Sequence, residues 1–330
     1  VLSLSVLAMA AAAGVRPATT LCSTGRSRYG NELVQQGGKQ VEQRVPVAAQ
    51  DSDADGSTSW LTMADGQQLF LRDWAPSQAR GAVLIVHGLG EHSGRYQRLA
   101  QWFNQRGYAV RSYDQRGHGQ TPGQRGALRH GDDLLEDLAT VYIDYMNGLP
   151  HVPLLLGHSM GGLVAVRTVL DGRIAPPALL LSSPALRTWE PAWLQRLARR
   201  LTRVTPNLPL RNGLKFEKIS HDEAVVIAYR RDPLRTGWIT PRLADFIFRA
   251  GPACIADAAK LAMPTLLLVA DSDELVDPSG SRAFSKKAAP TRQLTTRYFS
   301  TLYHELFNES EPGRSQVLMQ LSDWLGRHAG

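Results

Sequence analysis

From Trp60 onward the chain alternates short apolar runs with stretches in which apolar residues recur every three or four positions. Gln68 to Trp74 reads as a strand, and Ala82 to Val86 (AVLIV) is a continuous apolar run of the kind buried on both faces of a parallel sheet. Leu99, Trp102 and Phe103 then fall at i, i+3 and i+4 and predict a helix that Gly107 ends. Tyr108 to Tyr113 is a strand again, and Leu134, Leu135, Leu138, Val141, Tyr142 and Tyr145 form one face of a longer helix. Asp132 and Asp133 sit in its first turn, where the macrodipole favours anions. Val152 to Leu156 predicts another buried strand, Met160 to Leu170 a helix, and Ala178 to Leu181 a strand. Such alternation specifies an α/β fold with a mostly parallel, doubly wound sheet, whose ligand sites lie beyond the carboxyl ends of the strands.

The rhythm breaks at Arg187 and resumes with a strand at Thr265 to Ala270, a helix at Arg282 to Ala289, a strand at Leu294 to Phe299 and a closing helix at Gln316 to Leu325. The roughly seventy residues between read as helical and strand-free, an insertion above the sheet. The implied divisions are a leader over 1–57, a first core part over 58–186, the insertion over 187–260 and a second core part over 261–330.

Composition narrows the class. With 43% hydrophobic and 20% charged residues in 330, the chain has material for a sizeable core, which excludes a disordered, collagenous or multipass membrane protein. Two cysteines, Cys22 and Cys254, provide neither a disulfide framework nor a zinc-binding spacing. The formal charge is +7, yet Arg187 to Lys218 alone carries eight basic residues against Glu190 and Glu217. The excess therefore belongs to one segment, and with no basic recognition motif no nucleic-acid partner is expected. Val1 to Gly14 is apolar but too short to span a bilayer, and no Lys or Arg precedes Arg16 to form a signal-peptide n-region. The polar stretch from Arg16 to Ser59 has the look of a disordered leader or an over-extended gene start. A cytoplasmic location, with peripheral membrane contact as an option, is favoured over secretion.

The chemistry gathers after the run VPLLL, at Gly157-His158-Ser159-Met160-Gly161-Gly162. G-x-S-x-G arises by chance in about one chain in ten of this length. A buried strand directly before it and a helix directly after it make it a nucleophile elbow, with the glycines allowing the tight turn that lifts the serine hydroxyl clear of the sheet. A serine needs a base, and in this architecture an acid and then a histidine follow it in chain order. Of the nine histidines only His304 and His328 lie beyond Thr265 to Ala270. His328 is two residues from the C-terminus, whereas His304 stands just past the strand ending at Phe299, so His304 is the base. The acid belongs in the loop after the strand, where Asp271, Asp273, Glu274 and Asp277 all qualify. A tetrahedral intermediate also needs two backbone donors. Met160, next after the serine, supplies one, and Leu89 in His87-Gly88-Leu89-Gly90 is the candidate for the other.

VHGLGEHSGRY at Val86 to Tyr96, YDQRGHGQT at Tyr113 to Thr121, LLLGHSMGG at Leu154 to Gly162, LLLVADSDELVDP at Leu266 to Pro278 and LYHELFNE at Leu302 to Glu309 together resemble the monoacylglycerol lipase and lysophospholipase branch of the α/β-hydrolases, which includes serine aminopeptidase-type enzymes. The resemblance covers the chain from about Trp60 to the C-terminus. It implies the α/β-hydrolase fold with a helical cap inserted before the acid-bearing strand, Ser159 as nucleophile, His304 as base and Leu89 with Met160 as oxyanion donors. It favours Asp273 as the acid, through its spacing to the strand end and to Val276. Ala270 stands where the family has glycine, which keeps Asp271 as runner-up. Asp277 reads as a loop-capping residue, and His92, Asp114 and His118 as loop-fixing ones. Gln115, where the family often has histidine, touches a loop and not the triad.

The implied function is serine ester hydrolysis of a small-molecule monoester with an apolar acyl chain, without a cofactor or metal. A proline-iminopeptidase-like hydrolase and a general small-ester carboxylesterase are the alternatives. The basic segment counts against the former, which must hold a substrate ammonium with cap carboxylates. In the cap, Pro191 to Arg203 predicts a helix with Leu194, Leu197 and Leu201 on one side beside Trp193, and Arg196, Arg199, Arg200 and Arg203 on the other. It suits either an anionic lipid surface or a lid whose leucines pack above Ser159 while the arginines face water.

Overall fold

The computed structural model describes residues 56–328, so the expected leader lies outside the described residues except for Gly56 and Ser57. The strands are β1 (Ser57–Thr62), β2 (Gln68–Trp74), β3 (Gly81–Val86), β4 (Tyr108–Tyr113), β5 (Leu154–His158), β6 (Leu179–Ser182), β7 (Leu210–Arg211), β8 (Trp238–Ile239), β9 (Thr265–Ala270) and β10 (Leu294–Phe299). The helices are α1 (Gln97–Asn104), α2 (Asp133–Asn147), α3 (Met160–Leu170), α4 (Ala192–Val204), α5 (Glu223–Arg231), α6 (Pro241–Asp257), α7 (Ser279–Ala288) and α8 (Gly313–His328).

Eight strands form one sheet in the order β1-β2-β4-β3-β5-β6-β9-β10. β4, β3, β5, β6, β9 and β10 pair in parallel, and β1 and β2 add an antiparallel edge. This is the mostly parallel α/β sheet of the sequence expectation. β1 was not expected as a strand. It lies at the sheet edge with nearly every residue exposed, so no alternation of buried and exposed positions marks it; its place is set by pairing with β2 from Ser57↔Asp73 to Thr62↔Gln68.

β3 explains why the sheet needs two covering layers. Val83, Leu84, Ile85 and Val86 are all 0% exposed, each contributing about 1.5–3 kcal/mol of apolar burial. Alternate side chains point to opposite faces. Leu84 and Val86 join a core with α2, α3 and α6, while Val83 and Ile85 join one with α1 and α8.

The sheet order also fixes where a site can form. The chain leaves β3 for β4 on one side and returns to β5 on the other, so the loops after β3 and β5 diverge above a register that pairs Val86 with Gly157. That divergence is the crevice in which α/β sheets bind ligands. β9 and β10 end on the same edge.

Between β6 and β9 the chain departs from the expected strand-free insertion: β7 and β8 form a two-residue antiparallel ladder, Leu210↔Ile239 and Arg211↔Trp238. Strands this short carry no period a sequence can display. α4 packs against α6. Leu194 is fully buried, and Leu197 and Leu201 pack against the same core. Arg196, Arg199, Arg200 and Arg203 are exposed. The two sides of the helix are as predicted, but the leucines are not above Ser159; they abut α6, which takes that position.

Candidate active site

Ser159 occupies the single residue between β5 and α3 with φ 55° and ψ −121°, a conformation that costs a non-glycine residue on the order of 1–3 kcal/mol. Its surroundings hold it there: its N–H donates to Ser182 O at 3.0 Å, and its carbonyl accepts from Leu163 N and Ala185 N, both at 3.0 Å. The flanking glycines allow the tight turn, as expected, through the space a missing side chain leaves and not through their own torsions. Neither Gly157 nor Gly161 has positive φ. A Cβ on Gly161 would collide with the carbonyls of Val86 and His87, and one on Gly157 with the carbonyl of Gly161. The strained torsion belongs to the serine, and the glycines let α3 lie against the ends of the neighbouring strands.

His304, in the loop after β10, is 4% exposed and its Nδ1 donates to Asp273 Oδ2 at 2.6 Å. Asp273, three residues beyond β9, is held by its other oxygen, which accepts from Leu275 N at 2.8 Å and Val276 N at 2.9 Å. Burial acts against a charged His304, but the charge and hydrogen bond of Asp273, with Glu305 and Glu91 behind them, more than offset it and raise its pKa above the ordinary histidine value. Asp271 instead accepts from Arg282 at 2.6 Å. Glu274 pairs with Lys218 at 2.8 Å, and Asp277 accepts from Ser279 N at the start of α7. Of the four carboxylates left open by the sequence, only Asp273 is bonded to His304.

Ser159, Met160, Gly88, Leu89 and His304 open onto one cavity. Met160 is the first residue of α3, where an N–H has no partner within the helix. The loop carrying Leu89 is pinned from both sides. Gly88 N donates to Glu91 Oε1 at 2.5 Å, and the Gln115 side chain donates to His87 O at 2.6 Å. Gln115 N also donates to His87 Nε2 at 2.9 Å. Gln115 thus acts on the loop that carries Leu89, a closer connection to the site than the sequence suggested. Asp114 receives Ser93 N and Gln120 N, both at 2.7 Å, and His92 caps the turn Ser93–Tyr96.

A buried polar group that the sequence expectations left without a role also meets the cavity, through Glu91 and Glu305. Glu91 accepts from Tyr96 OH at 2.7 Å and from Arg95 at 2.8 Å, and Arg95 makes a two-pronged contact with Glu305 at 2.6 and 2.8 Å. Burial alone would raise the Glu91 pKa, but Arg95, His158 and His87 outweigh it and bring it to about 2. Tyr229 covers Arg95, whose guanidinium lies 4.7 Å from the ring centre. His158, its ring 4.7 Å from that of His304, is held neutral by burial and by the neighbouring His304, with a pKa lowered to about 4. Glu91 two residues after Leu89 and Glu305 next to His304 were the available signals. The same cavity has an apolar lining of Ala244, Ile247 and Phe248 from α6, with Ile219, Leu275 and Val276. Half-exposed Trp189 stands at the cavity wall, followed by Glu190, which is 9% exposed.

The family model described as "Serine aminopeptidase, S33" matches residues 77–311. The chain belongs to this family of α/β-hydrolases. Within it, the chain stands with the monoacylglycerol lipase-like serine ester hydrolases. It is 34% identical over 262 residues to the monoacylglycerol lipase of Mycolicibacterium smegmatis, covering 77% of this chain and 91% of that one. It is 32% identical over 279 residues to the monoglyceride lipase of Rattus norvegicus, covering 80% and 89%. The crystal structure of Paleococcus ferrophilus monoacylglycerol lipase superposes with a TM-score of 0.72 at 33% identity, over 79% of this chain and 99% of that one. No helix among the described residues is long and apolar enough to cross a membrane.

Proposed function

We propose that the protein hydrolyses a lipid-like monoester of the monoacylglycerol or lysophospholipid type through an acyl-enzyme. The observation that carries this reading is the cavity on which Ser159 and His304 open, whose lining combines apolar side chains of α6 with Ile219, Leu275 and Val276, suited to an acyl chain, and the polar residues Glu91, Asn212, Tyr229 and Glu305, suited to the hydroxyls of a small alcohol. His304 takes the Ser159 proton as the hydroxyl attacks the ester carbonyl, and Asp273 holds the imidazole in the Nδ1–H tautomer and stabilises the imidazolium. The Leu89 and Met160 N–H groups receive the oxyanion. His304 returns the proton to the leaving alcohol, and water then repeats the sequence on the acyl-enzyme. The outer face of α4 docks on an anionic lipid surface, with four exposed arginines and with Trp193 and Val204, which are 46% and 80% exposed.

One observation favours a second reading. Glu190, an acidic residue of the cap, is among the residues lining the cavity, and an acidic cap residue is what an aminopeptidase sets against a substrate ammonium. The arginines of α4 are on the outside and do not weigh against that. Rates across p-nitrophenyl esters of increasing chain length, alongside monoacylglycerol, lysophosphatidylcholine and an aminoacyl anilide, separate the two. Each methylene buried should raise kcat/KM up to about fourfold, from ~0.8 kcal/mol per CH₂, until the cavity is filled. An anilide cleaved faster than every ester would reverse the order of the readings.

A further inference from the structure

On the far side of the β7–β8 ladder from the ester cavity lies a second groove, of about 430 Å³, lined by Arg125, Arg211, Arg230, Arg235 and Trp238 around Thr236 and Gly237. The ladder separates the two by simple alternation. Ile239 faces the ester cavity, while its neighbour Trp238 and the cross-strand partner Arg211 face the groove. We propose that this groove binds the phosphoryl group of a phosphorylated ligand.

Four like charges in one groove repel one another, so the means by which they are held matters. Arg211 lies 4.0 Å from the ring centre of Trp238. Arg230 and Arg235 both lie against Phe216, at 5.0 and 5.7 Å. Arg125 donates to Gly119 O at 2.8 Å and Thr121 O at 2.6 Å. The guanidiniums are therefore oriented before any ligand arrives, which lowers the ordering cost of binding. Among the described residues no carboxylate lies within 4.0 Å of Arg125, Arg211 or Arg235. Glu217 approaches Arg230 at 3.6 Å. Asp232, the one acidic residue in the lining, is engaged by His92 Nε2 at 2.7 Å and Leu234 N at 2.8 Å. Partial burial lowers the Arg125 pKa, with only the charge of Asp114 acting the other way; an anion in the groove would relieve that. Planar forks held in this manner match the oxygens of a phosphoryl group, which can accept from several at once. The site is independent of the ester chemistry, and a failure of that reading leaves it standing.

The test uses the full chain at low ionic strength. Inorganic phosphate and glycerol 3-phosphate are titrated calorimetrically, and vesicles of phosphatidylcholine with and without phosphatidic acid are cosedimented with the protein. The parent, Arg211→Gln/Arg230→Gln and Arg196→Gln/Arg199→Gln are compared, with the melting temperature of each as the folding control. The expected result is saturable binding that weakens at least about tenfold in the groove variant and is not competed by acetate; for the two soluble phosphates it is retained in the α4 variant, and with vesicles the groove variant loses affinity for phosphatidic acid beyond what the α4 variant loses. Binding of the soluble probes identifies a free phosphorylated ligand; binding of phosphatidic acid vesicles alone identifies a phospholipid head group. Either outcome supports the site. Absence of saturable binding by every probe, equal binding by the groove variant, or equal competition by acetate would overturn it.

Discussion

Replacing Asp273 by Asn tests the proposed triad where the structure makes the sharpest demand. Asp273 Oδ1 already accepts two backbone N–H groups, from Leu275 and Val276, and Oδ2 accepts His304 Nδ1–H. An asparagine can keep its oxygen on the two amides only by turning its NH₂ toward His304. The ring must then accept at Nδ1 and carry its proton on Nε2, the tautomer that cannot take a proton from Ser159. The comparable change in a serine protease costs about 10⁴ in kcat, or about 5.4 kcal/mol of barrier at ~1.36 kcal/mol per tenfold. Asp271→Asn disturbs only a contact with half-exposed Arg282 and should change kcat by no more than about threefold. The pH profile supplies the sign. The base works neutral, so kcat/KM rises with pH through the His304 pKa, which Asp273 holds above the ordinary value against burial. Without the carboxylate, burial remains and the rising limb should move to lower pH. Stopped-flow rates on p-nitrophenyl butyrate between pH 5 and 9 would read both effects. A larger loss for Asp271→Asn, or a limb that stays in place in Asp273→Asn, would refute the reasoning.

Gly161→Ala should abolish activity or folding, because its Cβ would meet the carbonyls of Val86 and His87; a variant retaining more than half the parent rate and melting temperature would contradict this. Arg95→Met leaves Glu91 and Glu305 buried side by side without their cation, at a cost of about 3–5 kcal/mol, seen as a lower urea midpoint. Since the Glu91 pKa is held down in the fold, the parent keeps that stability above the unfolded glutamate pKa of about 4.3 and loses it as pH falls toward 2; Arg95→Met should lose stability already near neutral pH. Replacing Arg196, Arg199, Arg200 and Arg203 by Gln should weaken binding to anionic vesicles by up to ~1 kcal/mol per residue, leave neutral vesicles unaffected, and be mimicked in the parent by added salt. A parent that ignores anionic vesicles at low salt would remove the membrane reading.

The sheet was legible because its central strands are buried on both faces, so VLIV in β3 and TLLLVA in β9 show as unbroken apolar runs. β1 was not, since an exposed edge strand has no buried face to mark it. In the candidate site, the spacing of the motif marked the turn between β5 and α3 on which Ser159 stands, and chain order marked the loop after β10 that carries His304. The choice of Asp273 over Asp271 rested on the family resemblance and not on the residues alone, because both sit within three residues of β9 and only the course of the loop turns one toward His304 and the other toward Arg282. The insertion was the least legible part. Amphipathicity gave α4 its two sides but not its neighbour, so its leucines were expected over Ser159, where α6 lies instead. The arginine groove escaped notice because its residues are drawn from three distant stretches of chain.

An acyl-enzyme on Ser159 can be trapped by rapid acid quenching of the enzyme mixed with p-nitrophenyl decanoate, followed by peptide mass spectrometry. A decanoyl adduct should appear on the peptide containing Ser159 within the burst of nitrophenol, decay as turnover ends and be absent from Ser159→Ala. An adduct on any other residue, or an equal burst from Ser159→Ala, would contradict that intermediate.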